Sequence, residues 1–266
     1  MKKRVVFIIG ASSGIGLATA KKLCDEGNIV YCGSRTPCPD ERVTSLCVNV
    51  TDEKTVFDAV TRITEETGRI EQLIYSAGCS MAAPVEFAEE KDYRYLFDVN
   101  YFGALAAIRA VLPHMRKQAY GRIALVSSMG GVLPIAYDAF YSSSKAALIM
   151  LAKELNMEVA PFGINASAVL PGGTATRFTF KRKVYPEEKA GVYAADMDKS
   201  VGSLAGMEQG GMDADEVADT IIKTLLSDNP PAVVASGLAN KAYYLTQKIL
   251  PEKLTRHFVN DKYNLS

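Results

Sequence analysis

The chain has 266 residues, 48% of them apolar and 23% charged, enough to bury a large core and too apolar for a disordered state. Lys plus Arg and Asp plus Glu both total 30, so no net field draws the chain toward nucleic acid or an anionic membrane, and a small neutral or weakly charged molecule is the expected partner. Five cysteines without Cys-x-x-Cys spacing and only two histidines argue against a disulfide framework and against a Cys-rich or His-rich metal site. Cys24, Cys32, Cys38, Cys47 and Cys79 read as reduced packing residues of a cytoplasmic protein.

Met1 to Arg4 carries the charge of an export signal, but the apolar run Val5 to Ile9 stops at Gly10 after five residues and reads as a strand. No uninterrupted apolar stretch approaches the roughly 20 residues needed to span a bilayer, so no integral membrane segment is expected. Further strands are expected at Ile29 to Gly33, Ser45 to Val50, Gln72 to Ser76, Arg122 to Ser127, Ile164 to Leu170 and Ala232 to Ala235. Helices are expected between them near Gly14 to Glu26, Thr55 to Glu66, Tyr93 to Arg116, Phe140 to Ala160 and Ala214 to Leu226, the last preceded by Asp213 and Glu216 in capping-box spacing. This alternation predicts one α/β domain over residues 1–266 with a doubly wound parallel sheet of seven strands. The glycine-rich stretch 171–212 is too long for an ordinary connection and reads as a partly mobile lid. A C-terminal extension, 238–266, resumes a helical pattern with Tyr244, Leu245, Leu254 and Phe258, broken at Pro251, and reads as packing on the core or on a partner subunit.

Gly10, Ser12, Ser13, Gly14, Ile15 and Gly16 lie where the first strand turns into the first helix. Glycines there permit a sharp turn and close approach of backbone N–H groups to a pyrophosphate, whose charge rests on the positive helix end. About 20 residues on, a site for NAD would place an acid against the ribose 2′-hydroxyl. The second strand instead runs into Arg35, a partner for a 2′-phosphate, so NADP(H) is favoured over NAD(H).

Tyr141 and Lys145, four residues apart on one helix, project from the same face. An ammonium about 4 Å from the phenol is worth roughly 4 kcal/mol at an effective dielectric near 20, opposed by desolvation. A net lowering of the Tyr141 pKa is expected, making it a general acid/base. Ser128 ends a strand thirteen residues earlier and offers a hydroxyl to a substrate oxygen. Asn100, inside a helical segment, signals a bend or a bound water.

With these motifs in this order, the chain resembles the short-chain dehydrogenase/reductase family, and its 17β-hydroxysteroid and retinol dehydrogenase branch in Asp98 to Gly103, Leu112 to Arg116, Gly121 to Ile123 and Pro161 to Ile164. The resemblance implies a single-domain Rossmann fold, with Tyr141 as proton donor, Ser128 polarising the carbonyl, Lys145 also binding the nicotinamide ribose and Asn100 anchoring a proton-relay water. It implies cofactor contacts from Asn49, Val50, Ala77, Gly78, Pro171, Gly172, Thr174 and Thr176, alongside the glycine turn and Arg35. It also implies a homodimer or homotetramer packed through the helices near Tyr93 to Arg116 and Phe140 to Ala160. The chain departs from the family pattern at Ile9, at Tyr75-Ser76 before Ala77-Gly78, and at Asn49, without losing a reacting group.

The expected activity is interconversion of a secondary alcohol and a ketone on a lipophilic, hydroxysteroid-like or bile-acid-like substrate. The apolar lid residues Phe178, Phe180, Tyr185, Val192, Tyr193, Met197, Leu204 and Met207 suit such a ligand. Lys181, Arg182 and Lys183 read either as a solvated basic turn or as partners of an acidic substrate tail. Two alternatives stand beside this: a β-ketoacyl-thioester reductase of lipid synthesis, and a catalytically silent NADP(H) sensor.

Overall fold

The computed structural model describes residues 3–250. In chain order the strands are β1 (Val5–Ile9), β2 (Ile29–Ser34), β3 (Thr44–Cys47), β4 (Gln72–Tyr75), β5 (Met81–Ala82), β6 (Gly121–Val126), β7 (Ile164–Leu170), β8 (Lys183–Val184) and β9 (Val233–Ala235). The helices are α1 (Gly14–Asp25), α2 (Glu53–Thr67), α3 (Glu90–Phe97), α4 (Gly103–Gln118), α5 (Ala139–Val159), α6 (Glu187–Ala190), α7 (Ala194–Gln209), α8 (Ala214–Leu226) and α9 (Leu238–Thr246). Seven strands form one sheet in the order β3-β2-β1-β4-β6-β7-β9, every pairing parallel. The expected Rossmann-type α/β domain is the one observed. Because β1 pairs with both β2 and β4, the chain winds outward in two directions and opens a crevice at the carboxyl ends of the central strands.

Helices cover both faces of the sheet, which is why its strands are near-continuous apolar runs. Along β1, Val5, Phe7 and Ile9 enter a core shared with α2, α4 and α5, while Val6 and Ile8 enter a second core shared with α1 and α8, the period-two alternation of a strand. The expected Ser45 to Val50 strand is shorter: pairing with β2 ends at Cys47 opposite Ser34. The chain then turns, and Asp52 caps α2 by accepting the Lys54 amide at 3.1 Å, so this helix starts two residues before the expected Thr55.

The stretch 171–212 differs most from its sequence reading. It contains α6 and the 16-residue α7, and its β8 pairs with β5 in a two-stranded ribbon. Gly202 and Gly206 lie inside α7 with open space where a side chain would be. They weaken that helix by about 1 kcal/mol each relative to alanine without ending it. Of the C-terminal extension, α9 includes Tyr244 and Leu245, whereas Pro251, Leu254 and Phe258 lie outside the described residues.

The expected helix Tyr93 to Arg116 is α3 and α4 joined by a π-helical turn, Asp98–Phe102. The joined run Glu90–Gln118 is long and apolar enough to cross a membrane by length and composition, which the sequence reading did not anticipate. Of its most apolar window, 56% is buried inside the fold, the property of a core helix. Tyr75, at the end of β4, holds the π turn: its buried hydroxyl donates to the Val99 carbonyl. Gly103 packs so tightly behind it that a Cβ there would lie 2.5 Å from that hydroxyl. Tyr75→Phe leaves a buried carbonyl without its donor, and we expect a loss of about 1–3 kcal/mol, measured as a lower urea midpoint at unchanged m-value.

Candidate active site

A cavity of about 900 Å³ opens over the carboxyl ends of the central strands. At one end it is lined by Gly10, Ser12, Ser13, Gly14 and Ile15. Gly10 has φ +95°, and a Cβ on it would lie 2.6 Å from the Ala77 nitrogen; Gly14 has φ +56°. Both positions demand glycine, and together they bare the backbone at the N-terminus of α1, where Ser13 makes no side-chain cap. That cradle fits a pyrophosphate. Gly16 does not line the cavity; a Cβ on it would collide with the Gly10 carbonyl, so it sets the close approach of α1 to the turn. Arg35, Asn49 and Val50 line the same cavity further along β2 and β3. Asp40 is engaged by Arg42 at 2.7 Å, and neither Asp40 nor Glu41 is among the lining residues. The residues present therefore fit a nicotinamide dinucleotide, with a guanidinium rather than a carboxylate at the ribose end.

At the other end Ser128, Tyr141 and Lys145 line the cavity together with Ala77, Gly78, Pro171, Gly172, Thr174 and Thr176. Their convergence has a local cause. Ser127 Oγ donates to the Lys145 carbonyl at 2.7 Å, and Lys145 Nζ donates to the Val126 carbonyl at 2.9 Å. This reciprocal pair clamps α5 against the end of β6. Ser128 Oγ accepts the Gly130 amide at 3.0 Å, which fixes the hydroxyl at the strand end. Asn100 is fully buried behind the wall: Oδ1 accepts the Cys79 amide at 2.8 Å, and Nδ2 donates to the Cys79 carbonyl and to Ser144 Oγ, both at 2.9 Å. Its carboxamide thus braces the strand end, the π turn and α5, and the bend that an internal Asn suggested is the π turn itself.

The electrostatics correct one expectation. Tyr141 is not lowered: burial raises its pKa first, the Asp138 charge raises it further, and the Ser128 hydrogen bond and Arg182 oppose them. Burial also lowers the Lys145 pKa, to about 8, and its Nζ lies 5.5 Å from the centre of the Tyr141 ring. Each group is driven toward its neutral form.

Two further polar residues on the cavity wall, Asp138 and Glu208, were not singled out by the sequence as site residues. Asp138, at the start of α5, is buried and lines the cavity, and burial pushes its carboxyl up to about 8. Glu208 also lines it and is paired with the buried Arg182 at 2.6 Å. Arg182, expected in a solvated basic turn or against an acidic substrate tail, is instead buried and does not line the cavity; its Nε donates to Ser80 Oγ at 2.9 Å, and the Arg182–Glu208 pair ties the start of β8 to α7. Only an acid three residues before Tyr141 was visible in the sequence, and its burial depends on the packing of residues 171–212 above it.

The family model for short chain dehydrogenases matches residues 4–185. A 3-ketodihydrosphingosine reductase of Bacteroides thetaiotaomicron is 35% identical over 262 residues, 97% of either chain. Human 17-beta-hydroxysteroid dehydrogenase type 1 is 32% identical over 205 residues, covering 71% of this chain and 62% of that protein. The crystal structure of a short-chain dehydrogenase from Streptomyces avermitilis aligns with a TM-score of 0.83 at 29% identity, over 98% of this chain and 96% of that one. Site geometry, family match and fold agree, and the chain belongs to the short-chain dehydrogenase family of oxidoreductases.

Proposed function

We propose that the protein is an NADP(H)-dependent oxidoreductase of the cytoplasm that interconverts a secondary alcohol and a ketone on a lipophilic substrate. The observation that carries this reading is that Ser128, Tyr141 and Lys145 share one cavity with the glycine cradle and Arg35. Bound along that cavity, a nicotinamide cofactor supplies or accepts the hydride. The protein's own residues then handle the oxygen. Ser128 donates to the substrate carbonyl, Tyr141 transfers its hydroxyl proton to the developing alkoxide, and Lys145 orients the ribose and returns positive charge to the phenol. Asn100 holds the Cys79 backbone and so keeps that wall in register. Positive charge delivered next to Tyr141 lowers a phenol that burial and the Asp138 charge raise.

Two substrate classes fit. A hydroxysteroid or bile-acid-like ligand agrees with the apolar inventory of Phe178, Leu204 and Met207 on the cavity wall. A long-chain ketone such as 3-ketodihydrosphingosine, named for the Bacteroides relative, is favoured by that relative's match over 97% of both chains. We also infer a homodimer or homotetramer, supported by the exposed Phe102, Met150 and Met157 on the π turn and α5.

Tyr141→Phe is expected to lower kcat by about 100-fold or more while leaving the NADPH dissociation constant close to wild type. The readout is NADPH absorbance with a panel of lipophilic ketones, and unchanged turnover would remove Tyr141 from the reaction. Arg35→Ala is expected to weaken NADPH by about 10-fold or more and NADH far less. Equal losses in parallel fluorescence titrations of the two cofactors would refute its part in reading the phosphate.

A further inference from the structure

The oxidoreductase reading leaves one group in the cavity without a task. Asp138 is 3% exposed, its Oδ1 has no hydrogen-bond partner among the described residues, and it lines the same cavity as Ser128 and Tyr141. An acid where a helix begins ordinarily caps the first-turn amides. This one does not; its backbone carbonyl makes the ordinary first bond of the helix, accepting the Ser142 amide at 2.9 Å, while its side chain caps none of the first-turn amides.

The other charges around it are engaged elsewhere. Glu208 accepts from Arg182 Nη2 at 2.6 Å and from Thr179 Oγ1 at 2.7 Å. Arg182 spends its Nε on Ser80, and Lys145 donates to the Val126 carbonyl. Lys181 lines the cavity and forms no ion pair with Asp138 among the described residues. Arg182 and Glu208 act on Asp138 through their fields in opposite directions, and burial outweighs both. Asp138 is thus a desolvated acid awaiting a cation. Asp138 stands one residue before α5 and three before Tyr141, close enough for its charge to act on the phenol, so a substituent on the carbon next to a carbonyl held by Tyr141 comes within reach of its carboxyl.

We propose that Asp138 receives a protonated amine of the substrate, carried on the carbon next to the reacting carbonyl, so that the enzyme selects amino ketones over ketones that lack the nitrogen. This rests on the ketone-reductase reading of the same cavity. Binding releases the Asp138 proton to solvent and exchanges it for an ammonium contact. The ammonium offsets the field that the newly ionised Asp138 would otherwise exert on Tyr141, so recognition of the amine does not oppose proton transfer.

The test compares a long-chain 2-amino-3-ketone with the same ketone lacking the amine, each reduced with NADPH by wild type and by Asp138→Asn. Wild type is expected to favour the amino ketone in kcat/KM by about 10-fold or more, and in Asp138→Asn the ratio of the two values should fall to near unity. Using the ratio cancels any general loss of turnover in the variant. A wild-type ratio near unity, or a ratio preserved in the variant, overturns the assignment and leaves the ketone-reductase reading standing. Failure of wild type to reduce any ketone in the lipophilic panel overturns both. Should Asp138→Asn not fold, competitive inhibition of wild type decides: a long-chain 2-amino alcohol inhibiting more tightly than the matched alcohol supports the assignment, and equal inhibition refutes it.

Discussion

The placement of the site depends on the clamp between α5 and the end of β6. Ser127 Oγ on the Lys145 carbonyl and Lys145 Nζ on the Val126 carbonyl are each a strand-to-helix bond. Being reciprocal, they resist both sliding and rotation of α5. Tyr141, one turn before Lys145, is carried with the clamp, and Ser128, one residue after Ser127, is carried with the strand. The two hydroxyls therefore face each other because the same two bonds hold the elements that bear them. Gly131 permits this contact: a Cβ there would lie 2.9 Å from the Lys145 carbonyl carbon and from Ile149 Cδ1.

The clamp has an electrostatic consequence. To donate to Val126, the Lys145 ammonium must leave water, and burial lowers it to about 8. Tyr141 is raised and Asp138 is pushed up to about 8. Three ionisable groups in one cavity are thus shifted toward their neutral forms by one cause, loss of solvent. A cation or anion placed in it shifts every group at once, since fields are screened less there than at the surface. A site built this way responds to the charge of its ligands more strongly than one whose side chains are already ionised and paired.

What the sequence revealed follows from the range of the interactions involved. β1, β7 and α8 occupy the spans expected for them because a strand buried on both faces is a continuous apolar run and because Asp213 marks a helix start. Tyr141 and Lys145 were legible because one helical turn separates them, and Ser128 because a strand end separates it from its apolar run. The π turn was only hinted at by Asn100, since its stabilising bond comes from Tyr75, on another element. α7 was hidden by Gly202 and Gly206, which lower helix propensity locally while packing over the site restores the helix. Asp138 and the Arg182–Glu208 pair could not be read at all. They meet through contacts between α5, β8 and α7 that no local spacing encodes.

The Arg182–Glu208 pair also bears on why residues 171–212 are built as they are. Taking a guanidinium and a carboxylate out of water costs several kcal/mol per ion, and their attraction in the interior repays that only with good geometry and further hydrogen bonds. Here Glu208 has Thr179 and Arg182 has Ser80, so the remaining lone pair and N–H find partners. An apolar pair of the same volume would stabilise the contact at least as well, which makes stability an insufficient reason for charges at this place. What charges add is direction. They fix α7 relative to β8 and the Cys79–Ser80 segment in one register, and with it the position of Leu204 and Met207 on the cavity wall. The same two charges act on the buried Asp138 in opposite directions, so a pair that sets the register of residues 171–212 also holds a balanced field beside that acid.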